Sequence, residues 1–153
     1  MLALTFQVGA DRVAVDVRRV REVVPRVHLR QPAGSPSWLA GLFVHRGRVV
    51  PVVDLFRLTG AGDCPLHLSS RIILVSRVDM DDGLLGLLAT QVADLREIDM
   101  AGASAIDVTA MHQPRLGVLV AEGAGMIRIL DPDRLLPEGA LASLRAATPA
   151  GVS

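Results

Sequence analysis

The fold of this chain is decided by residues 41–55, which read GLFVHRGRVVPVVDL. Two runs of apolar and β-branched residues flank an Arg-Gly pair, and this pattern predicts a β-hairpin with strands over Leu39–His45 and Arg48–Val53. Gly47 supplies the positive φ that a tight turn needs. Asp54 follows the second strand and predicts the N-cap of a short helical segment.

The residues before this hairpin predict a similar arrangement. Apolar and polar residues alternate over residues 2–8, a turn follows, and residues 12–15 predict the returning strand. The valines of residues 17–24 recur at helical spacing, so we expect a helix that ends at Pro25. A loop rich in Pro, Gly and Ser then leads into the hairpin.

The second part of the chain repeats this plan after about seventy residues. In chain order the pattern predicts strands over 71–78 and 84–89, a helix-to-strand segment over 91–98, an irregular segment over 99–114, a hairpin over 116–130, a helix from Asp131 to Leu136, and a terminal helix over Glu138–Ala147. A repeat of this length favours a duplicated small β-barrel. We therefore expect a mostly all-β domain over 1–147, with halves of about 1–60 and 66–147 around one core, and a flexible tail over 148–153.

Pro51 lies inside the second hairpin strand, where proline cannot donate a backbone hydrogen bond. We therefore expect this position at a sheet edge or a bulge.

Composition excludes several kinds of chemistry. The chain has 153 residues, of which half are hydrophobic, and all sixteen basic residues are Arg. Without Lys, Tyr or Asn it has no Schiff-base amine, no P-loop lysine and no phenolic acid. The net charge is zero, but residues 1–60 carry +5 and residues 61–153 carry −5. Such a division predicts a dipole that could orient partners.

Few residues have the spacing of a catalytic or metal site. Cys64 and His67 stand three apart in a linker, which is half of a metal site at most. Asp79, Asp81 and Asp82 lack the length and the closing Glu of a calcium loop, and fit an acidic turn. We therefore expect no enzyme activity, no metal and no cofactor, and by elimination an interaction module.

Location follows from what the sequence lacks. The N-terminal residues have no basic segment before an apolar one, so we expect no signal peptide. No apolar run approaches the ~18 residues of a membrane span, and the single cysteine suits a reducing compartment. A cytoplasmic protein without direct membrane insertion is expected.

A binding barrel for nucleic acid or a small ligand is the alternative of a different class. Six Arg fall within residues 12–30, which favours nucleic acid, but the zero net charge and 3% aromatic content disfavour it. We therefore expect no nucleic-acid partner, while a small ligand stays open.

Residues 41–55 resemble the signature of the CheW-like domain, which has Gly, Arg-Gly, Pro and Asp-Leu at the spacing of Gly41, Arg46-Gly47, Pro51 and Asp54-Leu55. The resemblance extends over about residues 2–136, through Phe6–Gly9, Val13–Val23, Arg71–Val75, Leu116-Gly117 and Ile129–Leu136. It implies two SH3-like five-stranded β-barrels sharing a core, with short helices.

The resemblance also implies a function. Proteins of this family are non-enzymatic adaptors that join the cytoplasmic tip of chemoreceptors to the regulatory domain of a CheA-type histidine kinase. The receptor tip would lie in an apolar groove between the halves. The kinase domain would pack barrel against barrel, and self-association would extend arrays near the membrane.

Four residues fall where the family places partner contacts: Val20 and Glu22 on the predicted first helix, Gly41, and Arg46. Each also has a structural interpretation: a core valine, close strand approach at the glycine, and pairing of the arginine with a carboxylate.

The chain departs from the family pattern at Val44, which replaces the usual Asn, at His45, which precedes the Arg, and over residues 99–114, which are rich in Ala and Gly. Trp38 and residues 45–48 are most similar to coupling proteins of Wsp-type surface-sensing systems, which regulate cyclic-di-GMP. A regulatory partner of a hybrid kinase or a CheV-like adaptor is another role for the same fold, although no receiver sequence is present.

Overall fold

The computed structural model describes residues 1–65, 70–77, 83–100, 117–123, 125–136 and 140, and the backbone of 105–107. Within these residues the chain forms a 3₁₀ helix over Val17–Arg19, one short α-helix, α1 (Leu55–Leu58), and these strands: β1 (Leu2–Val8), β2 (Asp11–Asp16), β3 (Val20–Pro25), β4 (Leu39–His45), β5 (Arg48–Asp54), β6 (Arg71–Ser76), β7 (Leu84–Ala89), β8 (Leu95–Glu97), β9 (Ala105–Asp107), β10 (Val118–Glu122) and β11 (Gly125–Leu130). None of the described helices is long and apolar enough to cross a membrane.

The strands form two sheets, which confirms the mostly all-β prediction. The first sheet has the order β8-β1-β2-β11-β10-β9, and the second has the order β3-β6-β7-β5-β4. Neighbouring strands are antiparallel except for β2 with β11 and β5 with β7. Both sheets curl, so that strands at or near the two edges of each sheet come together. Glu22 of β3 contacts His45 of β4 in the second sheet, and Arg96 of β8 contacts Glu122 of β10 in the first.

The sheets do not follow the consecutive halves predicted from the repeat. The first sheet combines β1 and β2 with the strands after residue 94, while the second sheet combines strands from both sides of the Gly60–Pro65 linker. The two parallel pairs join segments far apart in sequence, and a repeat in the pattern of turns gives no information on such pairings.

The main core lies between the sheets and inside the second one. Its largest fully buried side chains include Phe6, Leu39, Leu55, Ile73 and Leu87. Burying each such side chain contributes about 1.5–3 kcal/mol. A smaller cluster on the other face of the first sheet consists of Ala3, Ala14, Ile98, Val120 and Ile127.

The predicted helix over residues 17–24 is wrong, because the chain forms only the 3₁₀ turn and then β3. The Asp16 carboxylate caps this turn by accepting from the Arg18 backbone N–H at 2.9 Å. Side-chain hydrogen bonds from Arg18 outweigh the effect of burial and lower the Asp16 pKa. The valines that follow are β-branched and pair with β6, with a bulge between Val20 and Glu22.

The hairpin over residues 39–54 is confirmed. Arg46 has φ 51° and Gly47 has φ 79°, so both central turn residues are left-handed, as in a type I′ turn. Asp54 begins α1 as predicted, and its buried carboxylate accepts from the N–H groups of Phe56, Arg57 and Cys64 at 2.9, 3.4 and 3.0 Å.

Pro51 departs from the expectation of an edge position. It lies in β5, which has β4 on one side and β7 on the other. The pairing of β5 with β7 begins only at Val52, so Pro51 lies opposite Leu42 of β4 and just outside the second ladder.

Three segments of the second part also differ from prediction. Residues 91–98 contain only β8 and no helix, and residues 99–114 include β9. After β11 the chain makes a turn rather than a helix, since the Asp131 carboxylate accepts from the N–H of Asp133 at 2.9 Å. The predicted terminal helix lies outside the described residues except for Ala140, as do the tail and the acidic turn at Asp79.

Candidate partner-binding surface

Glu22 and Arg46 are brought together where the second sheet closes. Glu22 Oε2 lies 2.9 Å from His45 Nε2, and Arg46 donates to Glu22 Oε1 at 3.2 Å. Because β3 and β4 are the outer strands of this sheet, the contacts cross the seam between its two edges. One carboxylate thus holds two cationic or polar partners from the β4–β5 turn.

The two partners of Glu22 differ greatly in exposure. The His45 side chain is 17% exposed and its ring packs against Phe43 at a centroid distance of 5.9 Å. The Arg46 side chain is 77% exposed, and Glu22 is its only contact among the described residues. Exposed ion pairs of this kind contribute about 0–1 kcal/mol. Arg46 can therefore leave Glu22 at little cost, while His45 keeps the carboxylate paired.

Val20 is half-buried at the start of β3. Its side chain packs against the main core, and its backbone N–H donates to the Val17 carbonyl at the end of the 3₁₀ helix. The family-derived position therefore lies on a strand rather than on a helix. Only part of the side chain is open to a partner.

Gly41 is buried and has a structural role. Its φ is 150°, and a Cβ at this position would lie 2.7 Å from Leu29 Cβ and 3.0 Å from the Arg30 carbonyl oxygen. The missing side chain lets residues 29–30 approach β4, where Arg30 and Leu42 exchange backbone hydrogen bonds at 2.9 and 2.7 Å. Gly41 thus shapes the surface but presents no side chain to a partner.

Exposed apolar side chains lie on the outer strands of the second sheet, on the same strands as Glu22 and beside Arg46. Val44 of β4 is 53% exposed, and Val23 of β3 is also exposed. Large exposed hydrophobic side chains grouped with an arginine are typical of protein-binding surfaces. We call Val20, Glu22, Val23, Val44 and Arg46 the seam surface.

No local sequence pattern predicts the role of His45. It precedes the Arg-Gly pair in the signature, and its contact with Glu22 depends on closure of the sheet, which no local pattern reveals. Trp38 likewise has a structural role, since it packs against the main core and its carbonyl accepts from the Asp54 N–H at 2.9 Å.

The described residues offer little for catalysis. No group of three metal-ligating side chains occurs among them, and His67 lies outside them. Cys64 is buried, and burial, followed by the charge of Asp54, raises the pKa of its thiol. A thiol of this kind is a poor nucleophile.

Comparisons with known proteins identify the family of this chain. The CheW-like domain matches residues 2–140. The chain is 33% identical over 138 residues to the protein FrzA of Myxococcus xanthus, covering 86% of this chain and 82% of FrzA. It is 21% identical over 148 residues to the chemotaxis protein CheW of Treponema pallidum, covering 92% of this chain and 85% of that CheW.

A solved structure shows the same fold. The scaffolding protein TtCheW from Thermoanaerobacter tengcongensis is 23% identical and superposes with a TM-score of 0.77, covering 89% of this chain and 87% of that one. The chain belongs to the CheW-like family, whose members are non-catalytic scaffold proteins of chemosensory systems.

Proposed function

We propose that this protein couples the cytoplasmic tip of a chemoreceptor to the regulatory domain of a CheA-type histidine kinase at receptor arrays in the cytoplasm. The observation that carries the proposal is the Glu22–Arg46 contact across the seam. Two of the four residues that the family resemblance assigns to partners therefore lie side by side on one surface.

The seam surface has the chemistry that such a partner needs. Val44 and Val23 offer exposed apolar area to the apolar side of a helix. Arg46, with one 3.2 Å contact to the half-exposed Glu22, can exchange that carboxylate for one on the partner. Apolar contact thus supplies affinity and the arginine supplies register.

A binding titration tests this proposal. Purified chain is titrated by calorimetry with a receptor-tip fragment and, separately, with the kinase regulatory domain encoded near it. We expect both to bind, and Arg46→Glu to weaken at least one of them about tenfold by placing a like charge beside Glu22 and the partner carboxylate. Arg134→Glu, at an exposed arginine after β11, serves as the matched charge control.

Two results would count against coupling. The first is that neither fragment binds at high micromolar concentration while RNA does, which would favour the nucleic-acid alternative. The second is that Arg46→Glu and Arg134→Glu weaken binding equally, which would show a general charge effect.

The Wsp-type output receives no support from the residues that suggested it. Trp38 and His45 both have structural contacts within the second sheet, which explain them without reference to cyclic-di-GMP. We therefore propose receptor–kinase coupling and no particular output. A measurement of cyclic-di-GMP in a deletion strain would test the Wsp-type prediction directly.

A further inference from the structure

A cleft of about 760 Å³ opens at one end of the curled first sheet, away from the seam surface. Pairing of Gln7 with Arg12, and of Thr5 with Ala14, places these side chains on one face of the sheet. Ala14 belongs to the small apolar cluster on that face. The interior of the curled sheet is therefore apolar at one end and polar at the end where the cleft opens. Mouths of β-barrels are common places for small-molecule sites.

Two arginines converge at this cleft on a single oxygen atom. Arg12 of β2 and Arg96 of β8 line the cleft and lie 3.5 and 3.0 Å from Glu122 Oε1. Their side chains are 42% and 45% exposed. Among the described residues only Glu122 contacts either guanidinium, and a guanidinium has five N–H donors. Most donors of both arginines thus stay available to an oxyanion, which they could hold from two sides.

The same cleft also has unused acceptors. The Asp94 side chain lines the cleft, is exposed, and has no ion-pair partner in the described part of the chain. Within that part, Gln7 Oε1 and Glu122 Oε2 are buried without a hydrogen-bond partner. In native proteins nearly all buried polar atoms have a hydrogen-bond partner, so two buried acceptors without one beside the same cleft indicate that a bound donor could complete them. These groups suit the N–H donors of a cation.

The charges around the cleft select the kind of ligand. The positive charges of Arg12 and Arg96 are balanced by the negative charges of Asp94 and Glu122. A multiply charged anion would lack compensation, whereas a neutral molecule with one carboxylate and one ammonium group matches both sets. Gln91 at the rim has φ 48°, a left-handed conformation that costs a non-glycine residue energy and is found most often at functional sites.

We propose that this cleft binds a small zwitterion of the amino-acid or short-peptide type. The ligand carboxylate accepts hydrogen bonds from Arg12 and Arg96, and its ammonium group donates toward Asp94. The cleft shares no residue with the seam surface, so this proposal is tested separately from the proposal of receptor–kinase coupling.

The test uses the whole chain labelled with ¹⁵N and followed by NMR. Leucine and the dipeptide leucyl-leucine are the probes. Isocaproate, which is leucine without its amino group, and isoamylamine, which is leucine without its carboxyl group, are the controls. We expect at least one probe to shift the amides of residues 5–12 and 91–96 in a saturable way, with affinity at least tenfold above that of both controls.

Variants then assign the contacts. Arg96→Ala and Asp94→Asn should each weaken probe binding about tenfold or more, since each removes a charged hydrogen-bond partner. Arg30→Ala, at an exposed arginine that bridges to β4 of the second sheet, should leave probe binding unchanged. Should Arg96→Ala disturb the fold through Glu122, Asp94→Asn still tests the proposal, because Asp94 has no side-chain partner to lose among the described residues.

Three outcomes would overturn the proposal. The first is no saturable shift at 10 mM of either probe. The second is isocaproate binding as tightly as leucine, which would show a simple anion contact. The third is Asp94→Asn binding the probe as well as the wild-type chain does.

Discussion

The turn residue Arg46 stands in a conformation that its side chain disfavours, and this leads to a prediction in which stability and binding change in opposite directions. A left-handed backbone such as φ 51° destabilises most residues other than glycine by about 1–2 kcal/mol, whereas Asn-Gly is a preferred pair for this turn type. Arg46→Asn relieves about 1 kcal/mol of this cost and loses an exposed ion pair contributing about 0.5 kcal/mol. We expect a net stabilisation of about 0.5 kcal/mol, or roughly 1–2 °C in Tm.

Chemical denaturation of the wild-type chain and two variants measures this balance. Arg46→Ala is the matched control, because it removes the ion pair to Glu22 but keeps the unfavourable backbone. It should be less stable than the wild type, while Arg46→Asn should be more stable, and both should bind the partner more weakly. A loss of more than about 1 kcal/mol in Arg46→Asn would refute the reasoning, since the Glu22 contact would then outweigh the backbone term. Unchanged partner binding in both variants would remove Arg46 from the seam surface.

Three further predictions concern the fold. Gly41→Ala should cost about 2 kcal/mol more in urea unfolding than Gly34→Ala, because both have positive φ but only Gly41 would place its Cβ against neighbouring atoms; equal losses would contradict the close approach. Arg19→Ala should lose about 2 kcal/mol, since its guanidinium donates to the Asp133 carboxylate at 2.7 and 2.9 Å, whereas the locally paired, exposed Arg18→Ala should leave the midpoint unchanged. Cys64 should react with a thiol reagent at neutral pH only as fast as the chain unfolds, because its side chain is buried in the core, and burial also raises its thiol pKa; rapid labelling of the folded chain would contradict this.

Local patterns in the sequence were sufficient to predict the hairpins. The alternation of β1, the Arg46-Gly47 turn and the Asp54 cap are all set by residues within a few positions of each other. Family resemblance then directed attention to Glu22 and Arg46, which the fold does bring together. These features share one property: the information that determines them is contiguous in the chain.

The incorrect predictions depended on distant pairing. Val20 and Val24 have helical spacing, yet pairing with β6 makes β3 a strand, because β-branched side chains fit a pleated surface between neighbours. The combination of β1 and β2 with β10 and β11 arises from a parallel pair that no turn connects. The contact of His45 with Glu22 follows only once the second sheet has curled. Each of these outcomes is fixed by tertiary structure rather than by local propensity.

The division of charge between the two parts of the chain is partly used within the fold. Arg12 pairs with Glu122 and Arg19 with Asp133, so arginines of the first part are held by acids of the second. A long-range dipole is correspondingly weakened, which leaves the exposed Arg46 as the charge of the seam surface that can steer a partner. Partner association should therefore slow only modestly as ionic strength rises from about 0.01 M to 0.15 M, over which the screening length falls from about 30 to 8 Å. Stopped-flow measurements on Arg46→Asn should show that most of this dependence has disappeared. If this variant keeps the salt dependence of the wild-type chain, the steering charge lies instead in the remaining excess of arginines over acidic residues within residues 1–60.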